Sequence, residues 1–319
     1  MRILITGIAG FIGSHLAERL ISEGNEIIGI DNFDSFYSRS QKEKNLAALS
    51  ISPIFKLYEG DICDSDFLQT IFSSHKIELV IHLAAKAGVR PSILDPESYY
   101  NVNVMGTLGL LRTMQNHSVK SLIFASSSSV YGNNKKIPFS ETDNVDFPIS
   151  PYAASKKAGE LLTYTYHHLH HFKVMNLRFF TVYGPRQRPD LAIHKFFNNI
   201  YKSLPIDIYG DGSTSRDYTY VDDIVEGIFQ SIIYLKSKKS IYEIVNLGNN
   251  SPLSLSDLVW NLELIIGTTI QKKYYNTQEG DVDKTFADIK KARQLLGFNP
   301  ETTIEDGLRK FKIWYEANI

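Results

Sequence analysis

The sequence predicts an α/β fold, a doubly wound parallel sheet with a smaller α/β lobe after it, and three observations carry that expectation. Short β-branched or aliphatic runs recur at Arg2–Thr6, Glu26–Ile30, Ile54–Tyr58, Leu79–His82 and Ser121–Ala125, each followed by a stretch long enough for a helix. The runs are close to continuously apolar, which strands need when helices cover both faces of a sheet. Between the first run and the first helical stretch lies a turn with three glycines.

That turn is Gly7-Ile8-Ala9-Gly10-Phe11-Ile12-Gly13, opening a helix expected over Phe11–Glu23. Glycines so placed allow a tight turn, close approach of backbone to a pyrophosphate, and close helix–strand packing. The helix start offers unpaired N–H groups to the anion. The second strand ends at Asp31, where a carboxylate accepts ribose hydroxyls and repels a 2′-phosphate, so NAD is expected over NADP. The fifth strand runs into Ser126-Ser127-Ser128-Ser129, near the edge at which parallel strands open onto ligands.

A helix is expected over Tyr152–Leu169 and a sixth strand over Lys173–Phe179. From Tyr183 onward Gly184-Pro185, Arg188-Pro189, Leu204-Pro205 and Gly210-Asp211-Gly212 punctuate the chain, which places a substrate-binding lobe at 183–319 after a dinucleotide domain at 1–182. The helical spacing of Ile224, Val225, Ile228 and Ile232 predicts that about 220–236 returns to cover the sheet.

Composition narrows the function classes. The 319 residues are 43% hydrophobic and 22% charged with a formal net charge of −1, so a core forms without metals or disulfides. That balance gives no reason to expect nucleic acid or an anionic membrane as partner. The single cysteine, Cys63, fits a reducing compartment, so cytoplasm is expected. No apolar run approaches membrane-helix length, and the first residues predict a strand rather than a cleavable leader.

Tyr152 and Lys156 are four residues apart and share a helical face. A phenol with a pKa near ~10 needs about 4 kcal/mol of help to act as a base at neutral pH. An adjacent ammonium and a cationic cofactor ring supply it.

Gly7, Gly10 and Gly13 with Asp31, Gly60-Asp61-Ile62, His82-Leu83-Ala84-Ala85, Ser126 to Gly132, Tyr152/Lys156 and Arg178-Phe179-Phe180 together resemble extended short-chain dehydrogenase/reductases of the NAD-dependent epimerase/dehydratase family. Within it, Asp31-Asn32-Phe33, Ala87-Gly88-Val89-Arg90 and the run from Arg178 to Asp190 look most like UDP-glucuronate 4-epimerases. The resemblance implies a Rossmann domain holding NAD against Gly7, Gly10, Phe11, Ile12, Gly13, Asp31, Asn32, Asp61, Ile62, Leu83, Ala84, Ala85 and Lys86. It implies catalysis by Tyr152, Lys156 and Ser127, and a UDP-sugar held by Arg90, Asn103, Ser128, Ser129, Thr181, Arg186, Arg188, Tyr209, Arg216, Gln278 and Asp281. It also implies a homodimer through the Tyr152 helix, with Leu161, Leu162, Tyr164 and Leu169 as candidate contacts.

The implied reaction is 4-epimerisation through a transient 4-keto sugar. Related dehydratases place Asp and Glu where Ser128 and Ser129 stand, and related decarboxylases carry Glu at the Ser129 position. Arg188, with Arg186 as competitor, is the candidate for restraining a C5 carboxylate that would otherwise be lost from a β-keto acid. The alternative substrates are UDP-glucose and UDP-N-acetylglucosamine; a NAD-sensing protein without chemistry is the rival from another class. His167, His168, His170 and His171 suggest a metal, but only His167 and His171 share a face at i, i+4 and no nearby Cys or acid completes a site. No metal is expected.

Overall fold

In the computed structural model, residues 1–277 and 282–318 are described. The chain begins β1 (Arg2–Thr6), α1 (Phe11–Ser22), β2 (Glu26–Asp31), α2 (Arg39–Leu46), β3 (Phe55–Glu59), α3 (Ser65–Ser74) and β4 (Leu79–His82). It continues with α4 (Val89–Leu94), α5 (Pro96–Tyr100), a π-helical segment at Asn101–Gly106, α6 (Thr107–Asn116), β5 (Ser121–Ser127), α7 (Pro151–His170) and β6 (Lys173–Phe179). Then come β7 (Thr181–Tyr183), α8 (Ala192–Tyr201), β8 (Ile206–Tyr209), β9 (Ser215–Tyr220), α9 (Val221–Ser237) and β10 (Tyr242–Leu247). The chain closes with β11 (Pro252–Ser254), α10 (Leu255–Ile266), β12 (Lys272–Tyr275), α11 (Lys290–Leu296) and α12 (Ile304–Glu316).

Seven parallel strands form the main sheet in the order β10-β6-β5-β4-β1-β2-β3. The winding reverses between β1 and β4, so the loops after their carboxyl ends diverge and open a crevice. Register fixes what meets there: Thr6 stands opposite both Ile30 and His82, and Ser127 opposite Phe179. The glycine turn, Asp31, the loop after His82 and the serine run therefore leave the sheet along one edge.

One face of the sheet packs Ile3, Ile5, Ile27 and Ile81 with α1 and α9, while the other packs Leu4, Ile28, Val80 and Leu122 with α3 and α6. Two expectations need correction. The seventh strand, β10, comes from a segment the sequence reading gave to the second lobe; it pairs with β6 because α9 crosses back over the sheet first. At the opposite edge β3 carries exposed Lys56, Leu57 and Glu59, since an edge strand is not covered on both faces.

Helix α7 starts where Ser150 accepts a bond from the Ala153 N–H at 3.1 Å and Pro151 occupies the first turn. It lies tight against β5 because Gly159 faces the Phe124 ring, into which any Cβ would run. One turn beyond Lys156, Glu160 takes two bonds of 2.8 Å from Arg178 of β6 and one of 2.6 Å from the Ser126 hydroxyl. Arg178 also donates to the Tyr131 hydroxyl at 3.0 Å, and both charges are 1% exposed. This pair rivets the helix to the sheet. In the second lobe the buried Asp217 does comparable work, accepting backbone N–H bonds from Asn249, Asn250 and Ala287 at 2.7, 3.1 and 2.9 Å.

Removing one member of a buried ion pair strands the other. Arg178→Leu is expected to lower unfolding free energy by about 3–5 kcal/mol in urea titration, and Arg178→Leu with Glu160→Leu to lower it by less than the two single changes summed. Additive losses would show that the pair does not act as a unit.

Candidate active site

A cavity of about 650 Å³ runs along the carboxyl edge of the sheet. At one end is the phosphate cradle. Gly7 has φ +72° and a Cβ there would sit 2.8 Å from the Ala84 nitrogen; a Cβ on Gly13 would strike the Gly7 carbonyl. The turn is held by Gly7 N–H donating to the Ile30 carbonyl at 2.7 Å, and α1 begins at Gly10 without a side-chain cap. Its first N–H groups thus face the cavity with Gly10, Phe11, Ile12 and Gly13 on the wall.

Asp31 is buried, and its two oxygens accept from the Ala9 and Phe33 N–H groups at 3.0 and 2.9 Å. Burial pushes its carboxyl above the usual range, against those bonds and the Lys42 ammonium 3.9 Å away. Asn32 donates to Asp61 at 2.9 Å, placing both beside Ile62 on the wall. Leu83, Ala84, Ala85 and Lys86 line the opposite side. A narrow backbone cradle, a ribose-height carboxylate and a slot beyond it suit an adenine dinucleotide, and every residue the sequence assigned to the cofactor lines this cavity.

At the other end stand Tyr152, Lys156 and the serines. Lys156 is 4% exposed, and its Nζ donates to the Ala125 carbonyl at 2.8 Å and lies 5.3 Å from the Phe124 ring centre. With no carboxylate beside it, burial lowers its pKa to about 8. The Tyr152 phenol is displaced upward by burial and pulled back by a hydrogen bond with Ser127 and by the charge of Arg188. The expected help from Lys156 is therefore not what acts on the phenol in the protein alone. Ser127 Oγ also bonds the Ser129 hydroxyl at 3.1 Å, and Tyr99 meets Tyr152 edge-on at 6.2 Å.

Ser128, Ser129, Thr181 and Arg188 line the cavity that Tyr152 also lines. Arg188 Nε and Nη2 bind Asp190 at 2.9 and 2.6 Å, Nη2 also donates to the Ala87 carbonyl, and the Phe36 ring lies beneath. Arg186 is corrected: with a positive φ of 65°, its side chain pairs with Glu18 at 2.7 Å and does not line the cavity, so it is no rival for the site. Asn103, expected against the sugar, is 3% exposed and spends its amide on Lys86 and Ser155.

Arg90, Tyr209 and Arg216 also lie off the cavity formed by the described residues. Arg90 covers the Tyr209 ring at 4.9 Å, and Arg216 donates to the neighbouring Ser215 carbonyl at 2.9 Å. Gln278 and Asp281 fall outside the described residues. Sequence reasoning missed Phe36, Tyr37, Lys42 and Tyr99, which line the cavity from loop and short-helix positions without periodic signal. Ser126, grouped with the other serines, instead points back to Glu160. Among the described residues no three His, Cys, Asp or Glu side chains converge as metal ligands, and no helix is long and apolar enough to cross a membrane.

The class defined by this sheet, glycine cradle and tyrosine–lysine helix is the NAD-dependent extended short-chain dehydrogenase/reductase, with an epimerase/dehydratase site. The chain belongs to the family described as GDP-mannose 4,6 dehydratase, which matches residues 4–311. It is 45% identical to the UDP-glucuronate 4-epimerase of Thermodesulfobacterium geofontis (strain OPF15), over 99% of this chain and 96% of that protein. Among solved structures, UDP-glucuronic acid 4-epimerase from Bacillus cereus in complex with UDP-glucuronic acid and NAD superposes with a TM-score of 0.94 at 36% identity over 100% of both chains. UDP-glucose 4-epimerase from Thermotoga maritima with UDP-glucose superposes at 0.90 and 33%, covering 99% of each.

A lysine held at a pKa of about 8 costs stability wherever it is charged. The folded value lies below the unfolded one, so stability falls as pH drops from about 10.5 to about 8 and stays low beneath; the full displacement corresponds to about 3 kcal/mol. Lys156→Met should therefore stabilise the dinucleotide-free protein at pH 7 by about 1–3 kcal/mol, the Ala125 carbonyl left behind taking back part of the gain, and should abolish most turnover. Urea titrations at pH 7 and 9.5 check this: a less stable variant at pH 7 would contradict the assignment.

Proposed function

We propose that this protein is an NAD-dependent isomerase that interconverts UDP-glucuronate and UDP-galacturonate by inverting C4 of the sugar. The observation that carries the reading is the arrangement around Tyr152: Ser127, Ser128, Ser129 and Thr181 on the wall beside it, and Arg188 near enough to act on the phenol's charge. Elimination needs an acid and a base next to the tyrosine, and this wall has hydroxyls at those positions. The 45% identity to a UDP-glucuronate 4-epimerase supports the same choice of sugar.

NAD, when bound, supplies reversible two-electron oxidation at C4. Tyr152 takes the proton of the 4-hydroxyl and gives it back to the C4 oxygen once the keto sugar has turned its other face to the cofactor, while Ser127 donates to that oxygen as it becomes a carbonyl. Lys156, anchored by the Ala125 carbonyl, is placed to hold the nicotinamide ribose and order the cofactor against the phenol. Arg188 Nη1, which takes no part in its bonds to Asp190 and Ala87, faces the C5 carboxylate with Ser128, Ser129 and Thr181. Held in place there, the carboxylate keeps clear of the perpendicular orientation from which a β-keto acid loses carbon dioxide. With one cysteine, which can form no intrachain disulfide, the chain suits the cytoplasm.

The test is to incubate purified protein with UDP-glucuronate and no added cofactor, following products by proton NMR. UDP-galacturonate is expected; turnover of UDP-glucose or UDP-N-acetylglucosamine alone would move the substrate to a neutral sugar. Tyr152→Phe should cut kcat by at least about 100-fold. Arg188→Ala should raise KM for the acidic sugar roughly tenfold or more and release some pentose product; unchanged kinetics would remove Arg188 from the carboxylate.

The outer side of α7 supports a homodimer. Leu161, Tyr164 and Leu169 are 56%, 50% and 60% exposed, and Met105 of the adjoining π segment 57%. Leu161→Glu is expected to yield monomer in sedimentation or light scattering, and a wild-type protein already monomeric at micromolar concentration would refute the dimer.

A further inference from the structure

The loop between β2 and α2, residues 32–38, leaves the sheet at the ribose carboxylate and keeps a shape of its own. The Asp31 carboxylate accepts the Phe33 N–H at 2.9 Å, Asn32 Oδ1 the Asp34 N–H at 3.0 Å, and Asp34 Oδ1 the Phe36 N–H at 2.9 Å. Side chains two residues back thus satisfy alternate backbone donors, as Asn and Asp do in turns. From α2, Lys42 Nζ donates to the Asp34 carbonyl at 2.8 Å and lies 4.8 Å from the Tyr37 ring centre. At the base, Arg39 binds both Glu59 oxygens at 2.8 and 2.7 Å and covers the Phe33 ring at 4.5 Å.

A loop so constrained presents its middle residues at fixed places, and these reach across the cavity. The Phe36 ring centre lies 5.0 Å from the guanidinium carbon of Arg188, which stands on the loop after β7. Tyr37 lines the wall; among the described residues, its hydroxyl is the one buried polar side-chain atom without a protein partner that belongs to a cavity-lining residue. Burial raises its phenol, and the charges of Asp31, Arg188 and Asp190 act on it, so it stands between the ribose carboxylate and the arginine. The loop therefore spans both ends of the assignment: its root is Asp31 and its tip is under Arg188.

Two parallel bonds to Asp190 fix the Arg188 guanidinium within its own plane, yet the pair can still tilt as a unit. A ring beneath one face blocks that tilt and attracts the cation without neutralising it, which a second carboxylate would do. Phe36 is 46% exposed and belongs to neither hydrophobic core cluster, so the fold gains little from it. We propose that Phe36 is a positioning residue for sugar specificity: carried on a loop rooted at the ribose carboxylate, its ring holds Arg188 in the orientation that meets an acidic sugar, so that dinucleotide occupancy and acidic-sugar affinity are coupled through residues 32–37. The inference rests on the proposed role of Arg188 toward the sugar carboxylate. Ribose hydroxyls held by Asp31 stiffen the root of the loop, and with it the ring under Arg188. A neutral sugar makes no use of that arginine and gains nothing from the stiffening. The coupling is reciprocal, since each ligand changes the affinity for the other by the same factor.

Phe36→Leu keeps the apolar bulk and removes the aromatic face, whereas Phe36→Tyr keeps both. In the NAD-loaded enzyme, Phe36→Leu should raise KM for UDP-glucuronate about fivefold and increase pentose release, leave competition by UDP-glucose unchanged, and be rescued by Phe36→Tyr. In a Tyr152→Phe background stripped of dinucleotide, adding NAD should raise calorimetric affinity for UDP-glucuronate about threefold more than affinity for UDP-glucose, and Phe36→Leu should make the two gains equal. Arg188→Ala separates this inference from the reading beneath it. If Arg188→Ala weakens UDP-glucuronate alone while Phe36→Leu leaves its KM within about twofold of wild type, the role of Phe36 is overturned and the sugar assignment stands. If Arg188→Ala leaves that KM unchanged, the carboxylate assignment falls and takes this proposal with it. Equal gains from NAD for the two sugars with Phe36 in place would overturn the coupling.

Discussion

Everything at this site depends on how α7 is fastened. One helix must present Tyr152 to the cavity, carry Lys156 into an apolar interior and still lie close enough to β5 that the ammonium reaches the Ala125 carbonyl. Gly159 lets it approach; the Glu160–Arg178 pair then fixes its rotation and depth against β6. A buried ion pair is a poor source of net stability compared with packed hydrocarbon, since desolvation consumes much of the attraction. What it supplies here is direction. Ser126 feeds the same carboxylate from β5, and the next residue, Ser127, stands on the cavity wall with Tyr152. Alternation along a strand thus converts one anchoring residue and one working hydroxyl into a single rigid unit.

The same arrangement sets a conflict between folding and function. Among the described residues no carboxylate offsets the burial of Lys156, and the protein without dinucleotide bears the desolvation of its ammonium. Binding a ligand that uses the ammonium returns that free energy, so affinity for the dinucleotide and stability of the fold are linked through one side chain. An isomerase that ends each cycle with its cofactor in the starting oxidation state has no need to exchange it, and tight retention then removes the weakness of the bare protein.

Much of this was legible in the sequence because it rests on spacing. The strand runs, the glycine turn and the i, i+4 tyrosine–lysine pair are local patterns, and the structure places each on the element expected. The failures come from places where spacing carries no information. Arg186 and Arg188 are two residues apart on one loop, yet Arg186, at a positive φ, pairs with Glu18 while Arg188 enters the cavity. Asn103 lies in a π turn, and its amide meets Lys86 and Ser155 instead of the cavity. No hydrophobic period announces such a turn. Strand β10 was hidden behind α9, because the crossover that returns it to the sheet looks in sequence like part of the second lobe.

Arg188 shows why the choice of sugar rests on geometry as well as charge. Asp190 already satisfies two of its nitrogens, so the guanidinium reaching the cavity is partly neutralised before any substrate arrives. A bare arginine would hold a carboxylate in both ground state and transition state, lowering KM without raising kcat. Paired with Asp190 and fixed over Phe36, it has only the two N–H groups of Nη1 left outside those bonds. Reaction at C4 requires the sugar to leave one face and present the other, and a carboxylate gripped too firmly would block that turn. On the proposed assignment, bonds from that one nitrogen, backed by neutral hydroxyls at Ser128, Ser129 and Thr181, would restrain the group against decarboxylation while leaving the ring able to rotate.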